Sequence, residues 1–261
     1  METRDNLRIT LGEVDLVWEN PGQNRHLIGE QIKLLTNKSD LVILPETFTT
    51  GFSMRTSGLA ETMDGTTVKW MLQISQTTGI AVCGSLFIAE NGLVYNRFIF
   101  TTPQGKIYFY DKRHLFSVGG ESKFFTPGDN RQTFNFLGWR IALYICYDIR
   151  FPVWSRNRND TDLIIITANW PATRQNVWNI LLKARAIENQ VYVAGVNRTG
   201  TDGNGLSYVG ESQVINAKGE LMPKTSIIKS GLLTYDISRK DLDDFRMSFP
   251  VANDADKFSI I

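Results

Sequence analysis

Residues 140–148 read RIALYICYD and contain the longest unbroken apolar run of the chain, Ile141–Tyr147. A run of seven residues is too short for a bilayer span, which needs about 20, but it is long enough for a buried strand. The run closes on Cys146 and Tyr147, and Asp148 follows directly. Ligands of α/β proteins gather outside the carboxyl ends of strands. This stretch therefore predicts a buried strand that delivers a thiol to a ligand-binding edge.

Apolar runs and helical patterns alternate on both sides of this stretch. Short β-rich runs are typical of strands, and apolar residues three or four positions apart are typical of helices. We predict strands at Leu41–Leu44, Ile80–Ile88, Tyr95–Thr102, Lys106–Tyr110, Arg140–Ile145, Leu163–Thr167 and Val191–Val196, and more strands between Ser207 and Tyr235. We predict helices at Pro21–Lys38 with Asn20 as the N-cap, at Gly65–Gly79 and at Gln175–Gln190, while the acidic tail shows little periodicity. The pattern predicts a layered α/β fold, and we expect one domain spanning residues 1–261 because no linker or repeat divides the chain.

Composition excludes several classes of protein. The chain has 261 residues, 42% of them hydrophobic, which is enough apolar area for a large core and excludes disorder. Lys and Arg number 28 against 27 Asp and Glu, so neither nucleic acid nor an anionic membrane is an expected partner. Met1–Thr10 has no apolar signal-peptide core, and the two cysteines, Cys83 and Cys146, form no disulfide framework. We therefore expect a cytoplasmic, reduced protein.

Motifs for metals, nucleotides and serine nucleophiles are missing from the sequence. It contains no GxSxG, GxxxxGK[ST], HExxH or CxxC pattern. The two histidines, His26 and His114, lie far apart, so we expect no zinc site. An SxxK match at Ser226–Lys229 lies among β-rich residues, where a four-residue pattern arises easily by chance. Neither nucleotide binding nor metal-dependent hydrolysis is expected.

Three apolar segments end in side chains that could together form a nucleophilic site. Glu46 follows the run Leu41–Leu44, and Lys112 follows the run Tyr108–Tyr110. Cys146 follows the run Ile141–Ile145. An unperturbed cysteine has a pKa of about 8.5, so its thiol needs a base or a neighbouring cation to react at neutral pH. A carboxylate can take the proton, and an ammonium can stabilise an oxyanion. Taken singly, each residue also fits a structural role, and His114 remains a rival base.

The sequence resembles the nitrilase, or carbon–nitrogen hydrolase, superfamily in three ordered motifs. They are LPETF (Leu44–Phe48), YDKRHLF (Tyr110–Phe116) and ICYDIRFP (Ile145–Pro152). ANWPATR (Ala168–Arg174) and ARAIENQVYVAG (Ala184–Gly195) are also similar to the family. The resemblance runs from about Leu7 to the C-terminal region and covers nearly the whole chain.

This resemblance implies a role for five residues. Cys146 would be the nucleophile and Glu46 the base, while Lys112 and the backbone N–H of Tyr147 would stabilise the oxyanion. Glu121 matches a second family glutamate, which lies beside the lysine and helps to position substrate, although an exposed loop acid is the alternative. The resemblance implies no metal and no organic cofactor.

Within the superfamily, the sequence is most similar to the bacterial omega-amidase group. The markers are TGFS (Thr50–Ser53), FPVWSRN (Phe151–Asn157), ANWPATR and NRTGTDGNG (Asn197–Gly205). That group hydrolyses the terminal amide of 2-oxoglutaramate or 2-oxosuccinamate to the 2-oxo diacid and ammonia, through a thioester. The alternatives are another carbon–nitrogen hydrolase, namely a carbamoylase, a nitrilase or an amidase acting on a deaminated peptide, and a non-catalytic scaffold of the same fold.

The substrates of this group carry a carboxylate, which an arginine would suit. Arg174 is the candidate by its position after a strand, while Arg150 lies nearer to Cys146 but could instead brace the turn through Asp148. Trp170 and Phe48 are candidates for the pocket wall, with core aromatics as the alternative.

The resemblance also implies a fold and an assembly. The fold is a four-layer αββα sandwich of two sheets with helices outside, and two chains pair through their helix layers into an eight-layer homodimer. The helix predicted at Gln175–Gln190 has an apolar face, including Trp178 and Leu182, that is broad for one contact. This breadth favours burial against a second surface, although burial inside one chain would look the same.

Overall fold

Two β-sheets lie face to face in the computed structural model, which describes residues 3–228 and 231–260. The larger sheet has, in spatial order, β13 (Ser226–Ile228), β14 (Leu232–Ser238), β1 (Asn6–Gly12), β2 (Leu41–Ile43), β3 (Ala81–Glu90), β4 (Leu93–Thr101) and β5 (Ile107–Asp111). The smaller has β12 (Gln213–Ile215), β9 (Tyr192–Asn197), β8 (Leu163–Ala168), β7 (Trp139–Ile145) and β6 (Thr133–Phe136). A separate hairpin joins β10 (Thr199–Thr201) to β11 (Ser207–Val209).

Helices cover the outer faces of the sheets. They are α1 (Pro21–Lys33), α2 (Thr66–Thr78), α3 (Gln175–Asn189) and α4 (Arg239–Ser248). Ile32 of α1 and Met71 of α2 pack against Val82 on the outer face of the larger sheet. Trp178 and Leu182 of α3 pack onto the smaller sheet. This arrangement is the predicted four-layer αββα sandwich, while the pairing of two chains into an eight-layer dimer stays a prediction.

The core between the sheets explains why both hold together. Alternate residues of a strand point to opposite faces, so one face of each strand of the larger sheet is turned toward the smaller sheet. Side chains from the two sheets share a continuous core, which includes Ile9, Phe98, Phe100, Ile141 and Leu143. All five are fully buried. Burying one such side chain typically contributes about 1.5–3 kcal/mol.

The predicted helix signals act locally as expected. Oδ1 of Asn20 accepts a hydrogen bond from the N–H of Gln23 (3.1 Å), and Pro21 is the first residue of α1. α2 ends at Thr78, and Gly79 adopts a left-handed φ of 73°, a conformation that glycine allows without strain. These two helices begin or end where the sequence predicts.

Three sequence predictions need correction. α1 ends at Lys33 and not at Lys38, because residues 34–38 form turns in which Asn37 has a left-handed φ of 62°. The predicted strands omit β6, a short edge strand that pairs with β7. The acidic tail contains α4, in which Leu242 and Phe245 lie three positions apart and pack against the core, while most of the other residues are charged, so its apolar stripe is short.

Two further sequence features are located as follows. Lys229, which closes the SxxK match, lies outside the described residues. None of the helices within residues 3–228 and 231–260 has the length and hydropathy that a bilayer crossing requires.

Candidate active site

Residues that follow four strands meet at or directly behind one cavity of about 450 Å³, which Glu46, Cys146 and Asn169 line. Glu46 follows β2, Lys112 follows β5, Cys146 follows β7 and Asn169 follows β8. The strand pairs β2–β3 and β7–β8 run parallel, so their carboxyl ends lie at the same edge. Because the two sheets stack, residues more than a hundred positions apart contact each other here, as Glu46 and Asn169 do.

Lys112 bridges two carboxylates behind the cavity. Its Nζ lies 2.8 Å from Oε1 of Glu46 and 2.9 Å from Oε2 of Glu121. All three side chains are fully buried. Burial lowers the pKa of Lys112, but the negative charges of Glu121 and Glu46 outweigh it and raise that pKa above its usual value. The lysine is therefore a permanent cation.

Both oxygens of the Glu46 carboxylate accept hydrogen bonds from neighbouring residues. Oε1 accepts hydrogen bonds from Nζ of Lys112 and from Nδ2 of Asn96, the latter at 2.9 Å. Oε2 accepts one from the backbone N–H of Asn169, also at 2.9 Å. The carboxylate is held in one orientation beside Cys146.

Cys146 lies at a sharp turn between β7 and a short 3-10 helix, Cys146–Arg150. Its φ of 45° is in the left-handed region, which costs energy for a residue other than glycine and is often found at active sites. Burial and the charge of Glu46 raise the pKa of the Cys146 thiol well above its usual value, although Lys112 opposes this. The resting thiol is therefore protonated, and Glu46 lies beside it.

Asp148 stabilises this turn and binds the ring of His114, the rival candidate for the base. Its Oδ2 accepts from the N–H of Ile145 (3.0 Å) and from the hydroxyl of Tyr110 (2.8 Å). Its Oδ1 lies 2.8 Å from Nδ1 of His114, whose ring stacks on Phe151 at 3.7 Å. His114 therefore supports the turn and does not line the cavity. β5 ends at residue 111, so strand alternation does not place residues 112 and 114 on one face.

Tyr147 contributes to the cavity in two ways. Its side chain lines the cavity and packs edge-on against Phe116 at 5.2 Å. It is also the second residue of the 3-10 helix, and the first N–H groups of a helix have no intrahelical acceptor. The backbone N–H predicted as an oxyanion donor is thus adjacent to Cys146 and at a helix start.

The two candidate wall aromatics differ in position. Trp170 lines the cavity, and its Nε1 donates to the carbonyl of Arg174 (2.8 Å). Phe48 does not line it: this side chain is fully buried in the core beneath α1 and α2, 6.1 Å from the ring of Trp70. Phe48 points away because it follows Glu46 by two residues in a turn, so strand alternation does not apply. For Phe48, the alternative of a core aromatic is correct.

Two arginines line the cavity without a carboxylate partner in the part of the chain that the structure describes. The guanidinium of Arg150 lies over the ring of Trp170 at 5.1 Å, and that of Arg174 over the ring of Phe116 at 5.4 Å. Arg150 makes no ion pair with Asp148 there, so it does not brace the turn through that residue. Both cations are therefore available to an anion in the cavity.

Sequence patterns alone did not identify two asparagines of the site. Asn96 donates to both glutamates, and Asn169 donates to Glu46. A signal existed for each: Asn96 is a polar residue on a strand face shared with Phe98 and Phe100, and Asn169 directly follows a buried strand. Within residues 3–228 and 231–260, no group of three or more His, Cys, Asp or Glu is arranged to hold a metal ion.

Comparison with known proteins extends these observations. A sequence model of carbon-nitrogen hydrolases matches residues 8–247. Omega-amidase YafV of Escherichia coli strain K12 is 42% identical over 255 residues, which cover 97% of this chain and 98% of that protein. The 2-oxoglutaramate amidase of Bacillus subtilis strain 168 is 30% identical over 250 residues, covering 94% and 96%. A crystal structure of a CN-hydrolase superfamily protein from Xanthomonas campestris, with an arsenic adduct in its active site, is 41% identical with a TM-score of 0.94 and covers 99% of this chain and 100% of that one.

Proposed function

The chain belongs to the carbon–nitrogen hydrolase family, and on that basis we propose that it is an omega-amidase. It hydrolyses the terminal amide of small 2-oxo diacid monoamides, such as 2-oxoglutaramate and 2-oxosuccinamate, to the 2-oxo diacid and ammonia. The observation that carries the proposal is the buried group in which Lys112 bridges Glu46 and Glu121 beside Cys146. The identity of 42% to an omega-amidase over nearly the full length supports the same activity.

In the first step, Cys146 attacks the amide carbonyl. The thiol is protonated at rest, so its proton passes to Glu46, which lies beside it in the cavity. The carbonyl oxygen then carries a negative charge, which Lys112 and the N–H of Tyr147 stabilise. Lys112 remains charged throughout, because two carboxylates raise its pKa.

In the second step, the tetrahedral intermediate collapses and the C–N bond breaks. Glu46 returns the proton to the leaving nitrogen, which departs as ammonia and leaves a thioester on Cys146.

In the third step, a water molecule attacks the thioester while Glu46 takes one of its protons. That proton passes to the sulfur as the C–S bond breaks, so the acid product leaves and the free thiol is restored. One water is consumed for each amide cleaved, and no cofactor takes part.

Arginines at the rim of the cavity provide for the carboxylate of the substrate. Arg174 and Arg150 line the cavity on the side of Trp170 and Phe116, which hold the guanidinium groups by their ring faces. Two cations without a carboxylate partner favour an anionic substrate over a neutral aliphatic amide. Arg174 is the primary candidate, and Arg150 lies within the same rim.

The apolar outer surface of α3 supports a homodimer. Ile180 and Ile187 are more than half exposed on this helix, at 56% and 53%, while Trp178 and Leu182 are buried against the sheet. Covering exposed isoleucines with a second copy of the helix would remove them from water. We also propose that the enzyme acts in the cytoplasm, where Cys146 stays reduced.

Ammonia release from 2-oxoglutaramate and 2-oxosuccinamate tests the activity, with wild type compared against Cys146→Ala. We expect release by the wild type and a loss of about 10⁴-fold or more in the variant, because the nucleophile is removed. Cys83→Ala is the matched control: Cys83 is fully buried in the core, so this variant should keep its activity. Wild-type turnover by Cys146→Ala would contradict the mechanism. Folded wild-type protein that releases ammonia from neither amide would contradict the substrate class.

A further inference from the structure

Asn96 is a buried polar residue on a face of β4 that is otherwise apolar. Alternate side chains of a strand share a face, so Asn96 lies on the same face as Phe98 and Phe100. Those two phenylalanines pack into the core between the sheets, and Asn96 itself is fully buried. An amide in this position has lost its hydration, so hydrogen bonds inside the protein must replace it.

The hydrogen bonds of Asn96 go to the charged groups of the site. Its Nδ2 donates to Oε1 of Glu46 (2.9 Å) and to Oε1 of Glu121 (3.2 Å). Its backbone carbonyl accepts from the N–H of Lys112 (3.0 Å). One residue therefore contacts both carboxylates through its side chain and the lysine through its main chain.

The net charge of the cluster formed by Lys112, Glu46 and Glu121 explains why these contacts matter. Lys112 supplies one positive charge to two carboxylates, so one negative charge is left without a counter-ion when all three groups are ionised. Burial raises the pKa of Glu121 above its usual value. The ammonium of Lys112 opposes this, while the charge of Glu46 adds to it. The amide hydrogens of Asn96 stabilise both ionised carboxylates and add no charge. Without them, one carboxylate would more readily take up a proton.

The orientation of the amide supports this interpretation. Oδ1 of Asn96 is buried and has no hydrogen-bond partner among the described residues. Ionised carboxylates only accept hydrogen bonds, so the NH₂ group must face Glu46 and Glu121. A buried acceptor without a partner lowers stability, and such atoms in native structures call for an explanation. Here the explanation is that the amide donates its hydrogen bonds to the two carboxylates, which leaves its own oxygen without a partner among the described residues.

We propose that Asn96 is a positioning residue of the hydrolysis, which holds the carboxylate of Glu46 in place and directs it at Cys146. The inference rests on the proposed function, because it takes Glu46 as the base. The other titratable groups facing Glu46 are Lys112, Glu121 and Cys146, which come from three different segments. Asn96 acts through Glu46 and does not itself contact the reacting atoms.

Two variants test the proposal through the pH dependence of the thiol and of turnover. Asn96→Leu replaces the amide with an apolar group of similar size, and Asn96→Asp is isosteric but replaces both N–H groups with a carboxylate oxygen. We expect kcat to fall about 10- to 100-fold in Asn96→Leu, because a hydrogen bond to a charged group is lost. KM should change by less than about threefold, since no substrate contact is removed. The loss should be larger in Asn96→Asp, where three carboxylates share one ammonium.

The acid limb of the rate profile separates positioning from a merely structural role. Both variants should shift it to higher pH, by about one unit, because the pair of carboxylates around Lys112 takes up a proton more easily without the amide donor. The same shift is expected for alkylation of Cys146 by iodoacetamide, read from the mass of its peptide. Asn189→Leu is the matched control: Asn189 is also buried, but it bonds Asn157 and the backbone of Arg185 in α3. This control should lose stability and keep the wild-type acid limb.

Either folded variant with an unshifted acid limb would overturn the proposal, and so would an equal shift in Asn189→Leu. The isosteric Asn96→Asp covers the case in which Asn96→Leu does not fold. Alkylation needs no amide substrate, so it tests Asn96 independently of the substrate. Wild-type protein that is inactive on both 2-oxo amides but shows the alkylation shift would contradict the substrate class and support the role of Asn96.

Discussion

Two clusters of buried charge in this molecule have opposite imbalances. In the first, one cation, Lys112, serves two anions, Glu46 and Glu121. In the second, one anion, Asp162, serves three cations: its carboxylate lies 2.6–2.8 Å from the guanidinium groups of Arg140, Arg239 and Arg246. Both central groups are fully buried. The two clusters differ in what surrounds them.

The charges of the Asp162 cluster are satisfied by hydrogen bonds and by contact with solvent. Its arginines are partly exposed, with Arg140 at 42%, so water shares in balancing the excess positive charge. Arg239 and Arg246 also donate to backbone carbonyls, which ties α4 to the smaller sheet. Burial raises the pKa of Asp162, but hydrogen bonds from Arg140 and Arg239 outweigh it and hold the pKa well below its usual value. Its charge is therefore constant near neutral pH.

All three charged groups of the Lys112 cluster are fully buried, and neutral donors such as Asn96 contribute to balancing its excess negative charge. A small change there, such as transfer of one proton, alters which group is charged. Buried ion pairs therefore have two different roles in this molecule. A cluster saturated with donors contributes stability, while an enclosed cluster with excess charge is prepared for proton transfer.

After loss of the nucleophile itself, the largest effect is expected from Lys112→Met, which removes the single cation of the first cluster. The oxyanion then loses a charged donor, and kcat should fall about 100- to 1000-fold. KM should change less, since the loss falls mainly on the transition state. Steady-state ammonia release, with circular dichroism to verify folding, measures this. A folded variant that retains wild-type kcat would show that Lys112 is only structural.

Asp162→Asn tests the opposite cluster and should affect stability without affecting catalysis. Three arginines then lose their common counter-ion, and the free energy of unfolding should fall by about 3 kcal/mol. Urea unfolding measures this, and kcat well below the unfolding transition should match the wild type. Asp236→Asn is the matched control, because Asp236 pairs with Arg8 at the surface and should contribute about 1 kcal/mol or less.

The pH dependence of the Asp162 effect follows from the sign of its pKa shift. The folded pKa lies below the unfolded value of about 3.9, so the stabilisation is fully present above that pH. It is lost as the pH falls toward the folded pKa. The difference in unfolding free energy between wild type and Asp162→Asn should therefore be constant from pH 7 to about pH 5 and shrink below about pH 4. A difference that stays constant to pH 3 would contradict the assignment.

The smallest effect is expected from Arg174→Ala, which removes an arginine that has no carboxylate partner among the described residues. Because its guanidinium is free to bind the substrate carboxylate, KM for 2-oxoglutaramate should rise about tenfold with kcat nearly unchanged. Arg158→Ala is the control, since Arg158 lies outside the cavity. Unchanged KM in Arg174→Ala, with a raised KM in Arg150→Ala, would assign the carboxylate to Arg150 instead.

Much of the fold and the chain positions of the reactive residues could be predicted from local patterns. Asn20 and Pro21 start α1 and Gly79 ends α2, since capping depends on neighbouring residues only. The hairpin strands β3, β4 and β5 lie within two residues of their predicted bounds for the same reason. The resemblance of three motifs indicated Glu46, Lys112 and Cys146 as a group, which the structure brings together.

Other features could not be predicted, because their local patterns are short or absent. α4 has an apolar stripe of only two core-facing residues, Leu242 and Phe245, in a mostly charged sequence, and Asp162 also holds this helix in place. His114 and Phe48 lie in turns, where the alternation of strand faces no longer indicates direction. Each of these residues finds its partner in a distant segment: His114 contacts Asp148, and Phe48 contacts Trp70.

The sequence alone determined which side chains stand at the ends of which strands, because strand ends, caps and turns depend on neighbouring residues. Only the stacking of the two sheets decided how those ends meet. Glu46 and Asn169 are hydrogen-bonded across 123 positions of the chain, and Asn96 joins Glu46 to Glu121. Hydrogen bonds and charge balance at such a site depend on ångström distances between segments, and those distances exist only once the core between the sheets has formed.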